Sequence, residues 1–409
     1  MKINKTLFII GAGPESLPGI KQAKEMGLKL IIADGNPNAV GLELADYPVV
    51  VSTYDEDELC EAAREYTLTI GKLDGVIAMC TDVPRSAAKI ASEFGLTSLS
   101  EHTAFLVADK LAMKEHFLSH GIAIPSFMPI RDEADLENAA DKFGYPFIVK
   151  PVDSRGARGV LLIHSKNEHT QAWKEAVSES PTNRVMAEAF IKGPQISTEA
   201  LVVDGEITTL GFSDRNYEWL DKYAPNIIEN GGELPSHLSP EEHSFVLKLF
   251  EEAVKALGIQ NGVAKGDMVL SSEGAKVIEV AGRLSGGYFS STQIPISTGV
   301  NFIEQAIRIS LGEKPTKEEL TPHRARAIAV RYLNPAPGKI TKISGIERAR
   351  RLEGVEMLQI DVNVGDNIAP MTNHTKRAGF VITSADQRKN AVSLAQEVIN
   401  LVTIYTETE

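Results

Sequence analysis

The side chains that could do chemistry are concentrated in the segment 261–287, where two carboxylates and an arginine lie within or beside two short apolar runs. Residues 263–270 and 275–281 are rich in Val, Ile and Met and are separated by turn-forming residues, a pattern that predicts a β-hairpin. Gly274 fits the last position of a three-residue hairpin loop, where the backbone is left-handed. A loop of this length fixes which residues of the two strands face each other.

In that register Asp267 faces Glu279 directly, and Val269 faces Val277 on the same side. Like charges opposed across strands destabilise a hairpin, so this pair implies a cation or a shared proton between the carboxylates. Arg283 continues the Glu279 face because side chains alternate along a strand. Two carboxylates beside a guanidinium suit a magnesium ion bridging nucleotide phosphates. The alternative is an ordinary solvated hairpin face.

Length and composition limit the class of protein. A chain of 409 residues is too long for one core and predicts two to four domains of roughly 100 to 200 residues each. The net charge of −13 argues against nucleic acid as the main partner, because binding its backbone needs concentrated Lys and Arg. Cys60 and Cys80 give no disulfide framework, so a cytoplasmic location is expected. No apolar run approaches ~20 residues, so no membrane partner is expected.

The first hundred residues alternate short apolar runs with helical segments. Residues 6–10, 29–33 and 75–79 read as strands, and a helix runs from the turn at Glu15 to about Met26. Strands and helices that alternate with short loops are typical of a doubly wound parallel sheet. The sequence therefore predicts an α/β, Rossmann-like N-terminal domain.

The turn after the first strand resembles part of a dinucleotide-binding fingerprint. Gly11 and Gly13 match the first two positions of G-x-G-x-x-G, but Ser16 occupies the third and Pro14 removes a backbone donor. Asp34 lies at a spacing suitable for a ribose-binding acid. A glycine turn that serves only the fold is the preferred interpretation, and NAD or FAD binding is the alternative.

A glycine-rich, cationic loop joins two further predicted strands at 147–150 and 160–163. Its backbone N–H groups and guanidinium groups could cover a triphosphate, and a plain hairpin loop is the equal alternative. Lys150 ends the first of these strands inside an apolar run, and a buried ammonium calls for an anionic partner. The loop residues of interest are Ser154, Arg155, Gly156, Arg158 and Gly159.

Later segments offer weaker signals. Residues 184–191 predict a strand that contains Glu188, and its end offers backbone groups beside an apolar wall, which suits either a purine edge or a core strand. Residues 213–236 form either a substrate-contacting loop or an ordinary connection. From Arg324 onward short strands and helices alternate, and His374 is the one histidine of interest there, although a lone imidazole is more often structural.

Taken in order, these parts resemble the ATP-grasp superfamily preceded by its usual Rossmann-like domain. The order is Asp109-Lys110, FIVKP with Lys150, SRGARGV, the Glu188 strand, Asp267 and Glu279 twelve residues apart, and Arg283 four further on. The resemblance covers nearly the whole chain. It implies a Rossmann-like domain over 1–108, an ATP-grasp domain of two α+β subdomains over 109–322 with its flap subdomain at about 125–207, and a C-terminal α+β domain over 323–409.

The resemblance also implies a role for each motif. Lys110 and Lys150 would contact the α-phosphate and the adenine side of ATP, and the loop of Ser154, Arg155, Gly156 and Gly159 would cover the β- and γ-phosphates. Glu188 and the backbone of Ala189, Phe190 and Ile191 would hold the adenine edge, and Gln195 stands where many members place an acid on the ribose. Asp267 and Glu279 would ligate Mg²⁺, with Mn²⁺ as a substitute. Arg283 would face the acyl phosphate, and the backbone of Ser285, Gly286 and Gly287 would help to hold the tetrahedral oxyanion.

Three positions depart from the superfamily pattern. Many members have E-x-N-x-R on the metal-binding strand, whereas this chain has Ala281 in the middle, which cannot ligate a metal. Asp267 is shorter than the more usual glutamate, and Gln195 replaces an acid. With these changes, metal binding is expected to rely more on Glu279 and water. The expected binding of the ribose is weaker.

Within the superfamily, the run EVAGRLSGGYFSS and the αβ tail are most similar to ligases that join amino acids into dipeptides, and next to biotin-carboxylase-like enzymes. The implied function is an ATP-dependent carboxylate–amine ligase that forms an acyl phosphate and releases ADP and phosphate. A biotin-carboxylase-like carboxylase, a nicotinamide oxidoreductase and a nucleotide-binding protein without turnover are the alternatives. The expected partners are a small carboxylate and a small amine, and a homodimer is expected by analogy.

Overall fold

The N-terminal unit is a four-stranded parallel sheet with strand order β3-β2-β1-β4, which confirms the predicted Rossmann-like class. The computed structural model describes residues 5–407. The strand β3 was not predicted from sequence; it lies at the sheet edge and contains Pro48. The elements of this unit are β1 Thr6–Ile10, α1 Leu17–Glu25, β2 Lys29–Asp34, β3 Tyr47–Val50, α2 Glu56–Thr69, β4 Gly75–Ala78 and α3 Pro84–Phe94.

The glycine turn after β1 is explained by the fold. Asp34 accepts hydrogen bonds from the backbone N–H groups of Ala12 at 2.8 Å and Asn36 at 2.9 Å, so its carboxylate holds the turn together. Gly11 has φ +100°, and a Cβ there would lie 2.8 Å from a methyl carbon of Thr81. These contacts favour a structural turn over a ribose-binding acid.

Two helices connect this unit to the next: α4 Glu101–Ala108 and α5 Lys110–Ser119. The helical stretch between Glu101 and Ser119 is interrupted at Asp109. Asp109 has extended backbone angles, and its side chain caps α5 by accepting from the N–H of Ala112 at 2.9 Å. Lys110 is therefore the first residue of α5, directly after this cap.

The flap subdomain is a four-stranded antiparallel sheet with strand order β5-β8-β6-β7 and helices packed against it. Its apolar core includes Phe147, Val149 and Ile163. Its elements are β5 Phe127–Ile130, α6 Asp135–Phe143, β6 Phe147–Pro151, β7 Leu161–Ile163, α7 His169–Ser178 and β8 Val185–Ala189.

The rest of the chain is built on an eight-stranded sheet with the order β13-β12-β9-β10-β11-β14-β18-β16, and a three-stranded sheet β17-β15-β19 is formed near the C-terminus. The elements are β9 Gln195–Val203, β10 Glu206–Asn216, α8 Leu220–Tyr223, β11 Gly231–Leu234, α9 Pro240–Ala256, β12 Gly262–Ser271, β13 Gly274–Ala281, α10 Ile294–Thr298, α11 Phe302–Ser310, β14 Ala327–Tyr332, β15 Gly338–Ser344, α12 Ile346–Arg350, β16 Val355–Ile360, β17 Asn367–Ile368, β18 Gly379–Ala385, α13 Arg388–Leu401 and β19 Thr403–Glu407.

One apolar core joins the units. It contains Leu7 and Ile9 of β1, Phe302 of α11 and Ile328 of β14. The predicted boundary at 322/323 falls in the connection between α11 and β14, and the large sheet continues across it through the pairing of β11 with β14. The domain limits therefore stay a prediction. Across residues 5–407, the structure contains no helix with the length and apolar character needed to traverse a membrane.

Candidate active site

The hairpin of β12 and β13 brings Asp267 opposite Glu279, but by a different route from the one predicted. The loop has two residues rather than three, because Ser271 pairs with Gly274, and Val269 consequently faces Lys276 instead of Val277. A one-residue β-bulge at position 278 then restores the predicted pairing of the two carboxylates.

The bulge also decides which way the carboxylates point. Val277 and Val280 both lie in the apolar core, three positions apart, so the alternation of β13 changes phase between them. Glu279 and Ala281 therefore face a large cavity with Asp267 rather than the core. The predicted loop length was wrong, and the predicted carboxylate pair is present because the bulge compensates for it.

The opposed carboxylates are neutralised by side chains of the protein. Asp267 lies 2.7 Å from Arg215 and also forms an ion pair with Lys265, while Glu279 lies 3.3 Å from Lys110. Burial by itself would raise the pKa of both carboxyl groups, but Lys110 at Glu279, and Arg215 and Lys265 at Asp267, outweigh it and lower both pKa values. Both groups are therefore ionised at neutral pH.

This donor pair fits a hard divalent cation. Two carboxylates on neighbouring strands face the cavity, with 17% and 23% of their side chains exposed, and carboxylate oxygens are the ligands that Mg²⁺ prefers. Within residues 5–407, no cluster of three or more His, Cys, Asp or Glu side chains could hold a metal by itself. A metal bound here would need phosphate oxygens and water to complete its coordination.

A cavity of about 960 Å³ collects almost all of the predicted site residues. It is lined by parts of the N-terminal unit, the flap subdomain, the large sheet and the C-terminal region. The predicted residues that line it are Lys110, Lys150, Ser154, Arg155, Gly156, Glu188, Ala189, Phe190, Ile191, Gln195, Asp267, Glu279, Arg283, Ser285 and Gly286.

Gly159 is the predicted site residue that does not line this cavity. It has φ +66°, and a Cβ there would lie 3.0 Å from atoms of both Pro151 and Glu179. Glycine is therefore required at this position by the close packing of the loop base. Its assignment to phosphate binding is not supported by its location.

One end of the cavity is formed by a buried cluster of two lysines and a glutamate. Glu188 forms ion pairs with Lys150 and, at 2.7 Å, with Lys114. Burial acts to raise the pKa of Glu188, but the two ammonium groups outweigh it and lower the pKa to about 2. Burial lowers the pKa of Lys114 to about 8. The cluster keeps one net positive charge next to Ala189, Phe190 and Ile191, the predicted adenine edge.

Lys114 was missed at the sequence level although a signal was present. It follows Lys110 by four residues on α5, so both lysines project from the same face of that helix. Lys114 is 1% exposed. Such a buried lysine needs an anionic partner, and Glu188 supplies it.

The glycine-rich flap loop contacts all three neighbouring parts of the molecule. Lys110 donates to the carbonyl of Ser154 at 2.8 Å, and the Arg155 guanidinium lies 4.6 Å from the centre of the Tyr54 ring. The carbonyl of Gly156 accepts from the N–H of His374 at 3.1 Å. Burial, with help from nearby arginines, lowers the pKa of Arg155 to about 10. The loop is therefore docked over the cavity.

The turn after β13 presents Arg283, whose guanidinium lies 3.5 Å from Asp82. The predicted use of the following amides as oxyanion donors does not match the geometry at two positions. The N–H of Ser285 donates to Glu199 at 2.8 Å, and the N–H of Gly287 donates to Glu15 at 3.0 Å. Both donors are occupied, because these carboxylates hold the turn.

Several cavity residues came from segments without a clear sequence signal. His374 lines the cavity, and its Nε2 accepts from the N–H of Glu229 at 3.2 Å. Burial and the charges of Arg377 and Arg215 hold the pKa of His374 well below its ordinary range, so the imidazole is neutral. The Arg377 guanidinium lies 3.4 Å from the ring centre of Tyr332. Glu229 belongs to the segment 213–236, which therefore lines the cavity and does more than connect strands.

Two protein families match separate parts of the chain. Residues 107–287 match the ATP-grasp domain family, and residues 331–407 match the family described as L-amino acid ligase C-terminal domain 2. An L-amino acid ligase from Bacillus licheniformis has a similar structure, with a TM-score of 0.84 and 24% identity over 100% of both chains. That likeness shows a shared fold.

Two similar sequences come from curated proteins. The L-arginine-specific L-amino acid ligase of Bacillus subtilis is 23% identical over 370 residues, which cover 87% of each chain. Human carnosine synthase 1 is 24% identical over 352 residues, which cover 79% of this chain but 41% of that protein.

A glycine-rich loop, buried lysines and paired acids around one cavity, on a chain with a matched ATP-grasp domain, define an ATP-grasp ligase. The matched C-terminal domain places the chain more narrowly. The chain combines an ATP-grasp domain at 107–287 with a match at 331–407 to the C-terminal domain 2 of the L-amino acid ligases.

Proposed function

We propose that the protein joins the carboxylate of one small molecule, an amino acid, to the amine of another, with ATP converted to ADP and phosphate. The observation that carries the proposal is the single cavity in which the ATP-grasp motifs and the C-terminal residues meet. A ligase of this type must hold ATP, a carboxylate and an amine together, and a cavity of about 960 Å³ offers room for all three.

The nucleotide would lie between the flap subdomain and the large sheet. The positive cluster of Lys114 and Lys150 and the backbone near Phe190 would hold the adenine end, and Gln195 would contact the ribose. Arg155 and the flap loop would cover the phosphates, because buried guanidinium and amide groups bind phosphate oxygens strongly.

Asp267 and Glu279 would hold Mg²⁺, or Mn²⁺ in its place. The bound ion would neutralise charge on the phosphate oxygens during transfer. Lys110 and Arg215 already balance these carboxylates, so the cations would have to turn toward the phosphates when nucleotide and metal bind together. The site would then exchange one set of ion pairs for another without leaving a buried charge unpaired.

The substrate carboxylate would attack the terminal phosphorus of ATP beside Arg283, giving an acyl phosphate and ADP. The amine would then attack the acyl carbon and release phosphate. Arg283 is held by Asp82 and the turn after β13, so its charge is in place before reaction. Catalysis would rest on positioning and charge neutralisation rather than on a protein nucleophile.

The substrates would lie beyond Arg283, where the cavity is lined by Glu15, Tyr288, Tyr332 and Arg377. Both signs of charge face this region, which suits molecules that carry an ammonium and a carboxylate. A homodimer and a cytoplasmic location are part of the proposal; the location rests on the low cysteine content.

The direct test is phosphate and ADP release by the purified protein with ATP and Mg²⁺, over pairs drawn from the amino acids and small carboxylic acids. ADP formation that depends on both a carboxylate and an amine, with the coupled product seen by mass spectrometry, is expected. ADP release that depends on bicarbonate instead would indicate a carboxylase. Nucleotide binding without ADP under any pair would contradict the proposal.

Glu279→Gln tests the metal assignment. We expect kcat to fall at least about 100-fold, because the amide removes one of two anionic ligands from the metal. Glu273→Gln is the matched control, since Glu273 lies on the loop of the same hairpin and is exposed. Full activity of Glu279→Gln, or an equal loss in Glu273→Gln, would refute the assignment.

A further inference from the structure

Glu199 is a fully buried carboxylate that has no place in the reaction proposed above. It lies on β9, between Lys265 of β12 and Gly211 of β10, on the face of the sheet that bears Asp267. One of its oxygens accepts from the N–H of Ser285 at 2.8 Å and from the hydroxyl of Ser290 at 2.7 Å. Its other oxygen is buried without a hydrogen-bond partner within the described chain.

The turn that Glu199 holds is strained. Gly287 has φ +64° and Tyr288 has φ +57°, so two successive residues are left-handed, and Tyr288 is not glycine. A left-handed backbone at a non-glycine residue is unfavourable and persists only where surrounding contacts enforce it. Such a turn needs contacts that hold its conformation.

The residues around this turn supply those contacts. Glu199 accepts hydrogen bonds from Ser285 and Ser290, and the ring of Phe289 packs over Gly211, where any Cβ would lie 2.7 Å from that ring. Glu15 accepts from the N–H of Gly287. The turn directly follows Arg283, so its position sets where the guanidinium points.

We propose that Glu199 is a positioning residue that fixes the turn 284–290 and thereby holds Arg283 toward the reacting phosphate. The inference rests on the proposed ligase function for its effect on turnover, and on the hydrogen bonds alone for its effect on the turn. Glu199 does not line the cavity and does not touch substrate in this scheme. Lys265 and Arg283 are the charged groups that face it from the neighbouring strand and the turn.

The kinetic test compares Glu199→Ala with Glu199→Gln. Alanine removes the acceptor, so kcat should fall about 100-fold, with the KM for ATP changed less than about threefold, because a small misplacement of a positioned group costs turnover rather than nucleotide binding. Glutamine keeps one acceptor oxygen and should restore kcat to within about tenfold of wild type. Wild-type kcat in Glu199→Ala, or no rescue by glutamine, would overturn the proposal.

A matched control is available on the same strand. Thr198 is equally buried but points to the opposite face, where its hydroxyl donates to the carbonyl of Gly266 at 3.3 Å. Thr198→Val should keep kcat within about twofold of wild type. A loss in Thr198→Val equal to that in Glu199→Ala would mean that β9 tolerates no change, and would overturn the specific role of Glu199.

Hydrogen exchange separates this inference from the proposed function. Amide exchange in the peptide spanning 283–293 should be at least about tenfold faster in Glu199→Ala than in wild type, and unchanged in Thr198→Val. Ser290→Ala removes only one donor to Glu199 and should give a smaller increase in the exchange rate. This variant also provides a test if Glu199→Ala does not fold. If the wild-type protein turns over no substrate pair, the proposed function fails, but the exchange experiment still tests the role of Glu199. Unchanged exchange in both Glu199→Ala and Ser290→Ala would contradict that role.

Discussion

The individual residues of the site form chains of opposite charge rather than isolated pairs. Asp267 faces Glu279 across two strands, and Arg215, Lys265 and Lys110 neutralise them. The sequence showed that two opposed carboxylates need a cation, which is a consequence of electrostatics alone. It did not show that the protein itself carries these cations, because Arg215 reaches the pair from a strand about 50 residues earlier in the chain.

Burial raises the pKa of Glu199 to about 7, above the 4.5 of an exposed glutamate. A raised carboxyl pKa favours the protonated folded state, so its contribution to stability is present below pH 4.5 and is lost as pH rises through about 7. Glu199→Gln cannot titrate. The stability of this variant relative to wild type should therefore increase from pH 5 to pH 8, by an amount on the order of 3 kcal/mol.

Chemical denaturation of the two proteins at pH 5 and pH 8 measures this difference directly. Ionisable groups other than Glu199 are common to both proteins and cancel in the comparison. A difference in unfolding free energy that stays constant or shrinks between the two pH values would contradict the raised pKa. The expected increase in the difference, together with the loss of kcat in Glu199→Ala, would show that Glu199 supports activity at a cost in stability.

In the hairpin of β12 and β13, local sequence predicts the strands but not the details of their pairing. The two strands of the hairpin were correctly predicted from Val and Ile content, but the two-residue loop and the bulge at 278 were not. The bulge is decided by the core, because Val277 and Val280 are both buried against α9 and its neighbours. Local sequence does not indicate which of several registers buries the most apolar surface.

The flap loop leads to a prediction about nucleotide binding. Arg155 stacks on Tyr54, an exposed residue of the N-terminal unit, and this contact helps to dock the loop over the cavity. Tyr54→Ala removes a cation–π contact of about 0.5–1 kcal/mol, which should raise the KM for ATP about two- to fivefold. Steady-state kinetics at varied ATP measure this change.

Tyr54→Phe is the control for that prediction, because it keeps the aromatic ring and loses only the hydroxyl. We expect its KM for ATP to equal that of wild type. If the alanine and phenylalanine variants have the same KM, the stacking contact does not contribute to closing the loop.

For the whole molecule, the large sheet crosses the predicted domain boundary at 322/323. Strands β14, β18 and β16 extend it beyond β11, and Ile328, Val330 and Ile382 complete an apolar core shared with the N-terminal unit. A chain ending at residue 322 loses these strands and exposes the core. We expect it to be mainly insoluble on expression, because a large exposed apolar patch favours aggregation.

A chain ending at residue 402 is the matched control. It lacks only β19, which pairs with β15 in the small sheet, and keeps every strand of the large one. Soluble yield and thermal unfolding followed by circular dichroism compare the two truncations. A soluble, cooperatively unfolding chain of residues 1–322 would support an independent C-terminal domain.

The amino-acid sequence by itself determined the class of fold and singled out residues that, with the exception of Gly159, line one cavity, since strand composition, glycine loops and charged residues at strand ends are local features. Tertiary structure alone decided the bulge that turns Glu279 into the cavity, the lysine and arginine partners of the acids, and the turn anchored by Glu199. Each of these depends on residues far apart in the chain, and their contacts are selected by the packing of the core and by the need to pair buried charges.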